Sequence, residues 1–260
     1  MRITLIGSGN VATHLGAAFK NAGHHIVQVF SRNADHAALL AYHLKADAIS
    51  NFNDISPETD LFVISVKDDV IEEVASALSV HHKPLVHTSG ATPLASLQKY
   101  SDRAGVFYPL QTFSKTKEVN FKTVPVCIEA ADQHLEEMLK QLASSISNSV
   151  HVVDSEQRKV LHLAAVFACN FPNYLYHASQ QLLAQHQLDF DLLRPLIKET
   201  ADKVQEHMPD QVQTGPAIRN DERTMASHLA LLNGNEELTA IYALLSQAII
   251  KMGKAYPTVE

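Results

Sequence analysis

The residues best suited to chemistry stand at the start of the chain. Gly7, Gly9 and Ala12 form G-x-G-x-x-A within "MRITLIGSGNVATHL", after a short apolar run and before a helical pattern. The first glycine allows a tight turn, and the second lets backbone amides approach a pyrophosphate. The third position must be small so that the helix packs on the strand. Free amides at Asn10, Val11 and Ala12, with the helix dipole behind them, favour a bound anion. A glycine turn without ligand is the alternative. The strand before, the helix after and a second strand ending at Ser31 favour a dinucleotide.

The end of that second strand selects among dinucleotides. It reads "VFSRNAD": Ser31, Arg32 and Asn33 offer hydroxyl, guanidinium and amide donors, with no carboxylate before Asp35. NAD sites place a carboxylate there to accept from the ribose hydroxyls. Arg instead pairs with a 2′-phosphate and stacks on adenine. The expectation is therefore NADP(H), the alternative for Arg32 being a solvated loop residue. Ligands of open parallel sheets sit beyond the carboxyl ends of strands. That rule brings Val66, Lys67, Thr88 and Ser89, from "VISVKDD" and "LVHTSGA", to the ribose–nicotinamide end. Asp68 and Ser89 also suit helix capping, the preferred reading for Asp68.

The elements that must hold these residues follow from the pattern. Apolar, β-branched runs at "RITLIG", "HIVQVFS", "DLFVISV", "KPLVHTS", "AGVFYPL", "VPVCIEA" and "SVHVVDS" read as strands. Helical segments over Asn10–Asn21, Ala34–Leu44, Asp69–Leu78 and Pro93–Tyr100 separate several of them. Strands this apolar fit a parallel α/β sheet covered on both faces. Gly23 stands where the first helix needs a left-handed residue to stop. From Ser155 the pattern is helical only. Asp154 and Gln157 form a capping box, Pro172 kinks or restarts the helix, and further helices span Asp191–His207, Glu222–Leu232 and Glu236–Ala255. The longest irregular stretch is "MPDQVQTGPAIRND". The expected organisation is α/β over 1–153 followed by an all-α domain over 154–260.

Bulk properties exclude other classes. The formal net charge of −7 and the lack of a Lys/Arg cluster argue against nucleic acid. No apolar stretch is long enough for a bilayer, and a strand from residue 2 leaves no room for a signal peptide. Cys127 and Cys169 lie in apolar runs and read as buried, reduced thiols of a cytoplasmic protein. Fifteen histidines suggest metal, but the pairs His24-His25 and His81-His82 precede strands, where neighbours point to opposite faces. No metal site is expected.

The motifs "LIGSGNVATHL", "FSRN", "ISVKDD", "HTSGATPL", "FYPLQTFS", "HLAAVFACNF" and "TGPAIRND", in that order, resemble a group of NADP oxidoreductases without an assigned substrate. The group combines a Rossmann-type, doubly wound, mostly parallel sheet with a helical domain like the C-terminal part of 6-phosphogluconate dehydrogenase. It is similar in plan to pyrroline-5-carboxylate reductase, ketopantoate reductase and deazaflavin-dependent NADP oxidoreductases. The resemblance covers essentially the whole chain. It implies a homodimer through the helical domain and a small-molecule substrate in a cleft between the domains.

Reductases of this plan often carry Lys and Asn four residues apart on the first helix of the helical domain. Asn170 matches the Asn, but Val166 stands in place of Lys. His162 lies eight residues before Asn170 and Arg158 four before that, placing all three on one broad helix face. His162 is a proton donor, with Asn170 orienting the substrate, or else a hydrogen-bonded core residue. Tyr108 and Gln111 end a strand facing the cleft; members of the group often have His at the position of Tyr108. Pro109 shapes the backbone. Ser89 joins the candidate catalytic set. In "TGPAIRND", Arg219 suits a substrate carboxylate or a surface pair with Asp221 or Glu222, and His228 follows as a weaker candidate. Two functions compete: an NADP(H)-dependent reductase of a small, carboxylate-bearing carbonyl or imine compound, and a non-catalytic NADP(H)-binding sensor or partner-organising protein.

Overall fold

The computed structural model describes residues 1–255; the last five residues of the expected 154–260 domain lie outside the described residues. The chain forms two compact units, Met1–Asn170 and a second beginning at Phe171.

In the first unit one sheet takes every strand. The strands are β1 (Arg2–Ile6), β2 (His25–Phe30), β3 (Asp47–Ile49), β4 (Leu61–Ile64), β5 (Leu85–His87), β6 (Ala104–Pro109), β7 (Val126–Ala130) and β8 (Val150–Val152). Their order is β3-β2-β1-β4-β5-β6-β7-β8. All neighbours are parallel except β6 and β7, which pair antiparallel. The first six strands thus follow the Rossmann order, and the order reverses between β1 and β4, where such sheets bind ligands. The expected α/β class and parallel sheet are found.

Helices cover both faces. On one side α1 (Asn10–Asn21), α2 (Ala34–Leu44) and α5 (Gln133–Ile146) share a core with Ile3, Leu5, Val29 and Val63. On the other, α3 (Ile71–Leu78) and α4 (Ala95–Gln98) pack with Ile6, Phe62, Ile64 and Val106. Alternate residues of β1 and β4 therefore point into different cores, as the two-residue strand period requires. Helices α1 and α2 match their expected spans end to end. The expected helix from Asp69 begins as a 3₁₀ turn, Asp68–Val70, and the one from Pro93 shrinks to α4. Strand β3 and helix α5 lie outside the expected elements.

Local signals act as anticipated at several ends. Helix α1 stops at Gly23 (φ +86°), with Gly23 N–H donating to Lys20 O and His24 N–H to Phe19 O, the Schellman arrangement. Helix α6 (Ser155–Ala165) opens with the Asp154–Gln157 capping box. A π-helical turn, Val166–Asn170, follows it, and α7 (Phe171–Gln185) carries Pro172 in its first turn. Proline has no N–H and its ring crowds the carbonyl four residues back; the widened turn lies over that carbonyl.

The second unit contains α7, α8 (Arg194–Glu206), α9 (Glu222–Leu231) and α10 (Glu236–Ala255), with an irregular segment over 207–221. Leu192, Leu196, Leu231 and Leu244 remain exposed there. No described helix is long and apolar enough to cross a membrane.

Candidate active site

Where the strand order reverses, an open cleft of about 640 Å³ lies beyond the ends of β1, β2, β4 and β5. Gly7 sits at its floor with φ +121°, and a Cβ there would stand 2.2 Å from the Ser65 carbonyl oxygen. Only glycine supplies both that dihedral and that approach. Gly9 differs: a Cβ built on it meets no protein atom within 4 Å. The space beside Gly9 lies in the cleft, in front of the N-terminus of α1, whose first turn has no side-chain cap. Uncapped amides and a positive helix end form an anion site. A pyrophosphate fits this cradle in charge and room.

The expected cofactor residues converge on the cleft. Gly7, Gly9, Asn10, Val11, Ser31, Arg32, Asn33, Val66, Lys67, Thr88 and Ser89 line it. Ala12 does not; it is buried between α1 and the sheet, the packing role of the third motif position. The Asn10 side chain donates to Phe113 O at 2.9 Å, so its amide is committed to the loop after β6. Ser31 Oγ accepts from Ser8 Oγ and from Asn33 N–H, and Asn33 Oδ1 caps α2 through His36 N–H at 3.0 Å. The capping role expected of Asp68 is not found: neither the 3₁₀ turn it begins nor α3 has a side-chain cap, and Asp68 faces the cleft instead. Ser8, His36, Phe52 and Glu73 also line the cleft and were not anticipated. Ser8 lies inside the glycine motif, and His36 stands in the first turn of α2, which Asn33 caps.

A second pocket of about 600 Å³ is lined by Tyr108, Gln111, His162, Cys169 and Asn170, with an apolar wall from Leu110, Phe113, Leu161 and Val166. Tyr108 Oη and His162 Nδ1 are 3.1 Å apart. Burial pushes the Tyr108 phenol up to about 12, with Cys127 adding to the rise and Arg158 opposing it. Gln111 Oε1 accepts from Thr112 N–H, and its amide hydrogens meet no acceptor among the described residues. Cys169 is exposed rather than buried, since its segment is the π-helical turn at the unit's surface; Cys127 is buried, and both are free thiols.

The Ser89–Leu94 turn joins the two pockets. Ser89 lines the first, and its Oγ accepts from Ala91 and Thr92 N–H, so capping and cleft placement coexist. Gly90 touches the second: a Cβ there would stand 2.6 Å from His162 Nδ1 and 2.9 Å from Tyr108 Cζ. Arg158 holds the turn from behind. It is wholly buried and donates to Thr92 O, to Ser155 Oγ and to a short ion pair with Glu129. Ser155 Oγ in turn donates to Glu129 and accepts from Leu94 N–H. Arg158 thus faces the sheet, and only His162 and Asn170 of the expected trio share a pocket. Beside Arg158, buried His87 accepts from Ser89 N–H at Nδ1. Burial first, then the Arg158 charge, lower its pKa to about 3.

Arg219 lies in the second unit, exposed. It makes no hydrogen bond or ion pair among the described residues; its charge contributes to holding the Asp221 carboxyl low, behind the hydrogen bonds from Thr224. His228 Nδ1 is 2.9 Å from Tyr242 Oη. Among the described residues no group of three or more His, Cys, Asp or Glu side chains could hold a metal ion.

Fold and site define a dinucleotide-binding α/β protein with a helical second unit. The family described as "NADP oxidoreductase coenzyme F420-dependent" matches residues 2–89, and a domain of unknown function, DUF2520, matches residues 124–249. A Bacteroides fragilis structure described as a putative NADP oxidoreductase is 42% identical, with a TM-score of 0.91, covering 96% of this chain and 98% of that one. A Thermotoga maritima protein is 24% identical (TM-score 0.82; 97% and 99% covered). The 1-pyrroline-5-carboxylate reductase of Streptococcus pyogenes shares the fold at 15% identity (TM-score 0.64; 98% of each chain). No curated protein matches. The chain belongs to the NADP oxidoreductase family of the Bacteroides protein, and the cofactor of that family is NADP(H).

Proposed function

We propose that the chain is an NADPH-dependent reductase of a small carbonyl or imine compound. The observation that carries this is the Tyr108–His162 hydrogen bond in a pocket that the Ser89–Gly90 turn links to the dinucleotide cleft. NADPH, when bound, supplies a hydride to the substrate carbon. The protein must then bring one proton to the oxygen or nitrogen. A phenol held neutral by burial is suited to this. When His162 is protonated it donates from Nδ1 to Tyr108 Oη, leaving the phenol hydrogen for the substrate. The phenol gives up that proton, takes the one from His162, and His162 ends neutral.

Other side chains orient the substrate. Ser89 Oγ accepts from Ala91 and Thr92 N–H and keeps its hydrogen for a ligand, Gln111 accepts at Oε1 and keeps its amide hydrogens, and Asn170 lines the same pocket as Gln111. Arg219 is the proposed partner of a substrate carboxylate. The exposed leucines of the second unit support a homodimer through the helical domain, and two free thiols suit a cytoplasmic setting.

One observation favours a second reading. Position 166 is Val rather than Lys, which suits an NADP(H)-binding sensor that does not turn over. Following NADPH absorbance against a panel of keto acids, ketones and cyclic imines separates the two. Consumption with one of these, lost in Tyr108→Phe, supports the reductase. Tight NADPH binding with no consumption across the panel supports the sensor.

A further inference from the structure

We propose that His14 is a positioning residue for the substrate pocket: it holds Phe113 in place as part of the pocket wall. This rests on the reductase reading above and adds to it a residue from outside the pocket. Phe113 is the half-buried member of an irregular, otherwise exposed stretch over 111–118. It lines the pocket that holds Tyr108 and His162. Two hydrogen bonds tie this stretch to α1: the Asn10 amide donates to Phe113 O at 2.9 Å, and His14 Nε2 donates to Ser114 O at 2.8 Å. The His14 ring also stacks on the Phe113 ring, with centroids 5.2 Å apart and planes at 27°. Phe113 stacks in turn on Phe121, a buried core residue, at 5.8 Å and 18°. His14 itself borders a separate groove, with Glu118 and Asn120.

The side-chain type fits the task. An imidazole offers a flat ring to stack and an in-plane N–H to donate, so one residue fixes both the phenyl ring and the chain that carries it. Within the loop, Ser114 Oγ and Thr116 Oγ1 share a hydrogen bond, and Lys117 N–H donates to Ser114 O. These contacts shape the loop locally without anchoring it. Asn10 and His14 stand four residues apart, on one face of α1. Asn10 begins that helix and borders the dinucleotide cleft. The wall of the substrate pocket therefore takes its place from the helix whose N-terminus forms the phosphate cradle.

The test compares the intact chain with His14→Ala and His14→Gln. Glutamine places an amide N–H where Nε2 stands, so it keeps the donor and gives up the ring. The first readout needs no substrate. It is the rate at which N-ethylmaleimide alkylates Cys169, an exposed thiol on the same pocket, with buried Cys127 as the control. In His14→Ala that rate should rise about fivefold, the equilibrium worth of one such hydrogen bond. His14→Gln should restore most of the original rate, and calorimetry should find the same NADPH affinity in all three proteins. The second readout uses any keto acid, ketone or cyclic imine that the intact chain reduces. His14→Ala should raise its KM about tenfold with kcat within about twofold, and His14→Gln should reverse the rise. Equal alkylation rates in the intact chain and His14→Ala overturn the positioning role, and so does an unchanged KM in His14→Ala. A fall in NADPH affinity that matches the rise in KM overturns it as well, because His14 would then act on the cofactor. If the alkylation rates differ as expected but no compound is reduced, the reductase reading falls and the placement of Phe113 by His14 stands.

Discussion

Tyr108 Oη lies 3.1 Å from His162 Nδ1, so the end of β6 and the middle of α6 meet in one polar contact against an otherwise largely apolar wall. Tyr108 is 8% exposed and its neighbours are mostly carbon. Replacing it with Phe removes the hydrogen bond while keeping the ring. Stability should change by about 1 kcal/mol or less. Reductase turnover should fall by about a hundredfold or more, the usual contribution of a positioned acid, with NADPH affinity unchanged. Steady-state kinetics beside calorimetry checks this. Unchanged turnover would remove Tyr108 from the proton path.

Gly90 is a steric prediction. Its Cβ position clashes with His162 Nδ1 at 2.6 Å and Tyr108 Cζ at 2.9 Å, both on rings held by packing. Gly90→Ala must push the pair apart, at about 1–3 kcal/mol for an overpacked site. Thermal denaturation should report the loss, and activity should fall beyond what the unfolded fraction explains.

Arg158 gives a larger effect. Truncating it leaves Glu129 half-buried without its cation, and frees Thr92 O in the turn. Breaking a buried pair from one side costs about 3–5 kcal/mol. Urea denaturation of Arg158→Met should show a drop of that order, and a change below about 1 kcal/mol would contradict the brace.

His87 makes stability depend on pH. Its pKa falls to about 3 in the folded chain, against about 6.5 when unfolded. Between those values the unfolded chain binds the extra proton, so stability rises with pH there. It is fully present above about 6.5 and is lost as pH falls toward 3, with a limiting slope of about 1.4 kcal/mol per pH unit. His87→Asn should flatten that part of the profile, measured by denaturant midpoints across the range.

Much of this was legible in the sequence because it is local. The G-x-G-x-x-A turn, the Gly23 stop and the Asp154–Gln157 box each depend on a few adjacent residues, and each is found as read. Helix α5, outside the expected elements, carries an equally local signal: Leu135, Leu139, Leu142 and Ile146 mark one face after an Asp132 cap. Strand β3 has three residues, two of them exposed, and carries little periodic signal. The misplacements come from long-range partners. Arg158 looked like a neighbour of His162 by helical spacing, but Glu129 on β7 draws it into the core. The contact of Gly90 with Tyr108 and His162 joins three distant segments and has no signature in any one of them.

Calorimetry with NADPH on Gly9→Ala tests most directly whether the uncapped start of α1 grips the cofactor's phosphates through the space beside Gly9. A Cβ there meets no protein atom, and its φ of −76° suits alanine, so the variant should fold with a stability within about 1 kcal/mol of the original. NADPH affinity should nevertheless fall by about tenfold or more, because the methyl group takes the ligand's room. A folded Gly9→Ala protein that binds NADPH as tightly as the unaltered chain would contradict it.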